Sequence, residues 1–190
     1  RNEKIRLLDY GSGYNPILIK KIIQKLKKKY RFKKLKAYCY DFYTEDHLKK
    51  LNKEKNIVFE KMSKFKDKNR FDFCLIIDVL HHVGLKNEKK IFQLIKKLKT
   101  RSKILIIKDH FQYGVISNLL LLTMDIFSNY GDGTKIPDSY FSLKTFDEFL
   151  NKNKLYEIKR ISDKKYYKWY WPYVNNSKFQ FMSITKNMNK

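Results

Sequence analysis

Short apolar runs alternate with amphipathic segments through the first two thirds of this chain. Apolar runs at residues 5–9, 37–41, 57–59, 71–77 and 104–107 predict five β-strands. The segments between several of them carry apolar residues at helical spacing: Leu18, Ile19, Ile22, Ile23 and Leu26, then Leu48 and Leu51, and later Ile91, Leu94, Ile95 and Leu98. Strands separated by helices predict an α/β fold, in which a parallel sheet has helices on both faces.

The last third of the chain has a different pattern. Residues 113–127 form a long apolar stretch, which predicts either a helix packed on the sheet or an apolar wall of a pocket. A polar, turn-rich passage follows at 129–142, and Phe146, Phe149 and Leu150 then indicate another helix. Residues 156–161 and 179–185 predict two closing strands with an antiparallel arrangement. We therefore expect one domain over 1–190 with a mostly parallel seven-stranded sheet and an insertion at 111–145.

Polar residues follow most of the predicted strands directly. In open α/β sheets ligands bind at the carboxyl ends of the strands, so these residues are site candidates. They are Asp9, Asp41, Glu60, Asp78 and the run Lys108-Asp109-His110. After Asp9 come Gly11 and Gly13, which allow a tight turn and a close backbone approach. Asn15 as N-cap and Pro16 at the first helical position then predict a helix start.

These motifs resemble those of the class I S-adenosylmethionine-dependent methyltransferases. The segment Leu8-Asp9-Tyr10-Gly11-Ser12-Gly13 is similar to the first motif of that family, an acid followed by Gly-x-Gly. Asp41 matches the acid that holds the ribose, and Glu60 stands where the family has its adenine-side acid. The predicted fourth strand and the residues after it are similar to the fourth-strand motif of small-molecule and ubiquinone-type members of the family. This segment runs from Phe71 to Val83.

The resemblance implies a Rossmann-like, doubly wound fold and S-adenosyl-L-methionine as cofactor. It implies that the cofactor is bound by Asp9, Tyr10, Gly11, Gly13, Asp41, Phe42, Glu60, Asp78 and Val79. The activity that it implies is transfer of a methyl group to a small organic acceptor. The spacing differs from a nicotinamide dehydrogenase motif, because Pro16 occupies the place of the third glycine.

Asp109 and His110 are the catalytic candidates, because a histidine at a strand end facing a methyl donor can remove a proton from the acceptor. The alternative is a histidine that only hydrogen-bonds a lid, and positioning alone can supply much of the rate. Asp125, Asn129 and Tyr140 are the polar groups expected to face an acceptor pocket in the insertion.

Metal binding is not expected. His81 and His82 begin a helix, where adjacent side chains point apart, one of them inward. Cys39 and Cys74 lie in apolar strands, which predicts buried, inert thiols.

The chain is strongly basic, with 43 Lys and Arg against 19 Asp and Glu and a formal net charge of +24. Such a charge favours polyanionic partners, either nucleic acid or an acidic membrane surface. The lysines are scattered along the whole chain, however, as a genome-wide codon bias would scatter them. An RNA methyltransferase therefore stays an alternative, although the sequence has no Asn-Pro-Pro-aromatic tetrapeptide for base methylation. A non-catalytic binder of S-adenosylmethionine is a second alternative.

Two further features are open to interpretation. The aromatic and lysine cluster at 166–173 is compatible with base stacking and equally with an edge loop packed on the sheet. No signal-peptide pattern and no apolar run of about 18 residues are visible, so we expect a cytoplasmic protein without a transmembrane segment.

Overall fold

The computed structural model describes residues 4–14, 17–30, 34–51, 56–65, 69–129, 134–162 and 179–188. Its strands are β1 Lys4–Tyr10, β2 Lys34–Asp41, β3 Ile57–Lys61, β4 Phe71–Ile77, β5 Ser102–His110, β6 Leu155–Ser162 and β7 Gln180–Asn187. Its helices are α1 Ile17–Lys29, α2 Glu45–Leu51, α3 Leu80–Val83, α4 Glu88–Lys99, α5 Val115–Ser128 and α6 Leu143–Lys152. Asn15, Pro16 and the aromatic cluster at 166–173 lie outside the described residues.

The seven strands form one sheet in the order β3-β2-β1-β4-β5-β7-β6. Strands β1 to β5 pair in parallel with one another. Only β7 runs the other way, since it is antiparallel to both β5 and β6. The predicted doubly wound, mostly parallel sheet with an antiparallel last strand is thus confirmed. Because the chain winds outward from β1 to β3 and then from β4 onward, the order reverses between β1 and β4, where such folds bind ligands.

Successive side chains of the central strands point to opposite faces of the sheet, and apolar ones form a hydrophobic core on each face. Leu7 and Leu8 are successive residues of β1, and their side chains enter opposite clusters. One cluster contains Leu7, Ile19, Ala37, Cys39 and Leu75, among others. The other, larger cluster contains Leu8, Cys74, Ile76, Ile95, Phe146 and Phe181. Both cysteines are free and buried, as expected.

The helices follow the predicted periodicity with one correction. Ile91, Ile95 and Leu98 bury one stripe of α4, as a 3.6-residue period requires. Helix α5 forms in the apolar stretch at 113–127, but of the two alternatives for that stretch, close packing of the helix on the sheet does not agree with its burial. Only Ser117 and Leu121 of α5 are buried, whereas most of its large apolar side chains are exposed.

No helix among the described residues combines the length and the apolar character needed to cross a bilayer.

Candidate functional site

The parallel register brings the predicted strand-end residues to one edge of the sheet. Tyr10 at the end of β1 pairs with Tyr40 of β2 and with Ile76 of β4. On the next strand, Lys108 of β5 pairs with Ile77. The acids that follow these positions therefore share the carboxyl edge of the sheet, around the reversal between β1 and β4.

The turn after β1 is held against its two neighbours. Gly11 and Gly13 both have positive φ angles, +75° and +69°, which favour glycine. The backbone NH of Gly11 donates to the Tyr40 carbonyl at 2.8 Å. A Cβ on Gly11 would lie 2.5 Å from Val79 Cγ2, whereas one on Gly13 would meet no described atom within 4 Å. Gly11 is thus fixed by packing, and the part of the chain that the structure describes leaves space for a ligand beside Gly13.

Asp41 is bonded directly to this turn. Its Oδ2 accepts from the backbone NH of Gly13 at 2.6 Å, and its Oδ1 accepts from the NH of Phe42 at 2.7 Å. The Tyr43 hydroxyl donates to the Gly13 carbonyl at 3.0 Å and so supports the same turn. An ionised carboxylate has about four lone-pair positions. Two of them are used here, and two are left for a ligand diol.

Asp9 lies beneath the turn and is nearly inaccessible to solvent. Burial, and secondly the negative charge of Asp41, raise the pKa of the Asp9 carboxyl to about 7. A carboxyl with so high a pKa is readily ionised when a cationic group binds beside it.

The remaining predicted cofactor residues occupy the same edge with different environments. Tyr10 packs edge-on against Phe65, with ring centroids 5.6 Å apart. The Phe42 side chain is 77% exposed and free to cover a ligand. Glu60 pairs in register with Tyr40, one residue before Asp41.

Asp78 directly follows β4, has a strained backbone conformation and forms an ion pair. Its φ angle is +54°, which non-glycine residues rarely adopt. Both carboxylate oxygens accept from Lys108 Nζ at 2.6 Å, and Lys108 is buried. Strain of this kind, held in place by a buried partner, is common at functional sites. The sequence placed Lys108 at a strand end among the site candidates, but it did not predict that Lys108 pairs with Asp78.

Asp109 and His110, the predicted catalytic pair, have unequal surroundings. Asp109 is fully buried and its Oδ1 lies 2.6 Å from His81 Nδ1. Burial alone would raise the pKa of Asp109, but the charge of His81 and hydrogen bonds from His81 and His110 outweigh it and hold that pKa well below its usual value. Asp109 therefore orients His81 from within the core. His110 Nδ1 lies 3.5 Å from Asp78 Oδ1, on the side of the proposed cofactor edge.

His81 is the centre of a polar network that the sequence did not predict. Burial lowers the pKa of His81, yet the charges of Asp109, Asp125 and Asp78 and the hydrogen bond with Asp109 together raise it to about 8. The ring lies between two carboxylates, with Nε2 3.4 Å from Asp125 Oδ2. The Tyr140 hydroxyl donates a hydrogen bond to the same Asp125 oxygen.

His82 is half-buried beside His81 and its Nδ1 bonds the Lys135 carbonyl at 2.8 Å. The ring centroids of His81 and His82 are only 4.1 Å apart. One histidine is more deeply buried than the other, as expected, but the expectation that the two side chains point apart is wrong. The helix α3 is only four residues long, and the two rings lie against each other at an interplanar angle of 48°.

The three acceptor-pocket candidates are not equivalent. Asp125 and Tyr140 bond each other in the His81 network. Asn129 instead donates from Nδ2 to the Asp125 carbonyl at 2.9 Å, which closes the last turn of α5.

A cavity of about 670 Å³ lies on the other side of Tyr140, between α4 and α6. It is lined mainly by these helices and by residues of the predicted insertion, among them Gln112, Tyr140 and Phe141. The insertion thus contributes to a cavity, although none of the predicted cofactor residues lines it.

Comparison with protein-family models and with curated protein sequences gives no match. Comparison with solved structures gives many. An O-methyltransferase family 2 protein from Planctomyces limnophilus, crystallised with apigenin, is similar with a TM-score of 0.62 and 13% identity over 96% of this chain and 49% of that one. Human N-acetylserotonin methyltransferase in complex with SAM is similar with a TM-score of 0.65 and 11% identity over 96% of this chain and 47% of that one.

A third similar structure is a putative S-adenosylmethionine-dependent methyltransferase from Listeria monocytogenes. Its TM-score is 0.59 and its identity 13%, over 98% of this chain and 92% of that one. The chain spans about half the length of the first two proteins. At such low identity the likeness establishes architecture. The chain has the fold of the class I S-adenosylmethionine-dependent methyltransferases.

Proposed function

We propose that this protein is a methyltransferase that binds S-adenosyl-L-methionine and transfers its methyl group to a small organic acceptor. The observation that carries the proposal is the bond between the Asp41 carboxylate and the Gly13 backbone at the reversal of the sheet. It holds a diol-binding carboxylate against a glycine turn beside which the described residues leave space for a ligand.

The charge distribution supports the same cofactor. The chain has a net charge of +24, yet Asp9, Asp41, Glu60 and Asp78 share the carboxyl edge of the sheet. S-adenosylmethionine carries two positive groups, its sulfonium and its α-amino group. Lys108 already pairs with Asp78, and the Asp9 carboxyl has a pKa of about 7, so each of these two acids carries less free charge than Asp41 and Glu60. The acids still outnumber Lys108 at that edge, which favours a cationic ligand over an anionic dinucleotide.

We assign some of these residues to cofactor binding and one, His110, to the chemical step. Gly11, Gly13 and Asp9 would hold the amino-acid end of the cofactor, and Asp41 would bind the ribose hydroxyls. Phe42 would cover the adenosine, with Glu60 beside it. The sulfonium is already activated, so the main task of the protein is to place the acceptor in line with the methyl carbon. His110 would take the proton that the acceptor loses, and its place on the edge near Asp78 supports this role.

The acceptor is proposed to be a small molecule because residues of the insertion, among them Gln112, Tyr140 and Phe141, line an open cavity of about 670 Å³. The O-methyltransferase from Planctomyces limnophilus binds apigenin in its crystal structure, and such an aromatic hydroxyl compound is the acceptor class that we propose to test first.

The test has two steps. Calorimetric titration with S-adenosylmethionine and S-adenosylhomocysteine should give binding at one site per chain, and absence of binding to both would contradict the proposal. Incubation with methyl-labelled cofactor and a panel of phenolic acceptors should then move the label into a small-molecule product. If the cofactor binds but no label is transferred to the phenolic acceptors or to metabolites of a cell extract, the protein would be a non-catalytic binder.

The charge of +24 keeps RNA as a second candidate acceptor. The same labelled incubation with total RNA distinguishes it. Label in RNA, together with an affinity for RNA that falls steeply with salt, would favour this candidate.

A further inference from the structure

We propose that His81, His82 and Asp125 form a binding site for a divalent transition-metal ion of the Zn²⁺ class. Each of the three residues offers a ring nitrogen or carboxylate oxygen, and these atoms lie within 4.8 Å of one another. The site goes beyond the proposed function, since metal binding at these residues does not require the cofactor.

The hydrogen bonds of the two histidines leave the metal-binding nitrogens available. The Lys135 carbonyl can only accept, so Nδ1 of His82 carries the proton of that bond and Nε2 of the neutral ring carries a lone pair. His81 Nδ1 donates to the Asp109 carboxylate, so Nε2, which is buried without a hydrogen-bond partner among the described residues, is the nitrogen that would bind the ion and release its proton to solvent.

This pattern is what metal sites require around their ligands. A metal-binding histidine usually donates its other ring NH to a carboxylate or a backbone carbonyl, which fixes the tautomer and the ring orientation. Here Asp109 does so for His81 and the Lys135 carbonyl does so for His82. The third ligand, Asp125, accepts a hydrogen bond from Tyr140, which orients its carboxylate in turn.

The donor set and its spacing fit Zn²⁺ or a similar ion. Imidazole nitrogens with one carboxylate suit Zn²⁺, and three protein ligands leave one coordination position open. Ligand atoms about 2.0–2.2 Å from the ion lie at most about 4.4 Å apart. A small rotation of the His82 or Asp125 side chain is therefore enough, and half-buried His82 gives an ion access from solvent.

A neighbouring group, His81 with Asp109 and His110, fits a metal less well. All three of these residues are buried. Asp109 Oδ1 is already engaged by His81 Nδ1 and by the backbone NH of His110. Asp109 Oδ2 and His110 Nδ1 have no hydrogen-bond partner among the described residues, so the two groups differ mainly in access: this one is buried throughout, whereas His82 and Asp125 are only half-buried.

The experiment is a titration of the purified chain, freed of metal and without cofactor, with Zn²⁺ against a chromophoric chelator. We expect one Zn²⁺ per chain. His82→Ala and Asp125→Asn should each weaken binding by more than about 100-fold, since even indirect partners of metal ligands contribute 10- to 100-fold. Co²⁺ substitution should give visible absorption bands that these two variants lack.

Two histidine variants serve as controls. His47→Ala should bind Zn²⁺ as wild type does, because His47 lies in α2 at the other end of the sheet edge. His110→Ala should also retain binding, because it removes a ligand only from the neighbouring group. Thermal melting checks that each variant is folded, and His82→Ala keeps the test valid should Asp125→Asn fail to fold.

Three outcomes would overturn the proposal. One is wild-type protein that does not compete with the chelator, which would leave His81 as an imidazolium paired with Asp109 and Asp125. Another is binding that His110→Ala abolishes and His82→Ala retains. The third is binding that all variants retain. None of them bears on cofactor binding, which is measured separately.

Discussion

The Asp41 carboxylate bonds the backbone NH of Gly13 at 2.6 Å, although 28 residues separate the two in sequence. The bond joins the end of β2 to the turn after β1. The bond fixes the Asp41 carboxylate, which we propose accepts hydrogen bonds from the ribose hydroxyls, before any ligand binds. Fewer side-chain conformations are therefore lost when the ligand binds.

Gly11 and Gly13 should respond differently to a methyl group. Gly11→Ala adds a Cβ that lies 2.5 Å from Val79 Cγ2, at a positive φ angle. The backbone conformation alone costs about 1–2 kcal/mol for a residue with a Cβ. Because the clash adds to this cost, we expect the free energy of unfolding to fall by more than that. Gly13→Ala should show only that backbone cost. Chemical denaturation of both variants measures the difference.

Val79 provides the control for this comparison. Adding Val79→Ala to Gly11→Ala should recover part of the stability, because it removes the clashing methyl groups. Equal losses in the two glycine variants, or no coupling between positions 11 and 79, would contradict the packing described for the turn.

The buried Asp9 carboxyl should make the ligand-free protein less stable as pH rises. Its pKa is 3.8 in an exposed carboxyl and about 7 here, so the folded state binds more protons than the unfolded state between these values. The contribution of Asp9 to the free energy of unfolding should therefore be greatest below about pH 4. It should decrease by up to about 4 kcal/mol as the pH rises to about 7. Denaturation curves at pH 5, 6 and 7 measure the slope.

Asp9→Asn should flatten this slope, since an amide does not titrate. Asp46→Asn is the matched control, because Asp46 is an exposed acid in α2 and should leave the slope unchanged. An Asp9→Asn variant with the wild-type slope would show that Asp9 does not titrate as its burial requires.

A variant of His110 tests whether the proposed methyl transfer uses a general base. If His110 takes the proton from the methyl acceptor, His110→Gln should lower kcat by about 10²- to 10⁴-fold. Cofactor affinity should stay near the wild-type value, because His110 is not among the residues proposed to bind the cofactor. Single-turnover kinetics and calorimetry on the same preparation separate the two effects. A loss of kcat below about tenfold would mean that positioning supplies the rate.

Much of the fold was predictable from local pattern. The five parallel strands and the closing antiparallel strand have apolar runs or alternation that the sequence displays, and the acids at their ends follow from the strand bounds. Gly11, Gly13 and Asp41 were predictable as neighbours because the carboxyl ends of adjacent parallel strands share an edge.

The polar network around His81 was not predictable, because it depends on tertiary contacts. The bond between His81 and Asp109 spans 28 residues, and that between Tyr140 and Asp125 joins two parts of the insertion. The exposed face of α5 was missed for a related reason. Apolar composition predicts that a helix forms, but does not determine what it packs against.

The central claim is that Asp41 binds the cofactor ribose beside the glycine turn, and calorimetry with S-adenosylhomocysteine on Asp41→Ala and Asp46→Ala tests it most directly. Hydrogen bonds to a charged group contribute about 1.5–3 kcal/mol each, so losing two should weaken binding by about 100-fold or more. Asp46→Ala should bind as wild type does, and thermal melting should show both variants folded. A folded Asp41→Ala protein whose affinity stays within about threefold of wild type would contradict the account.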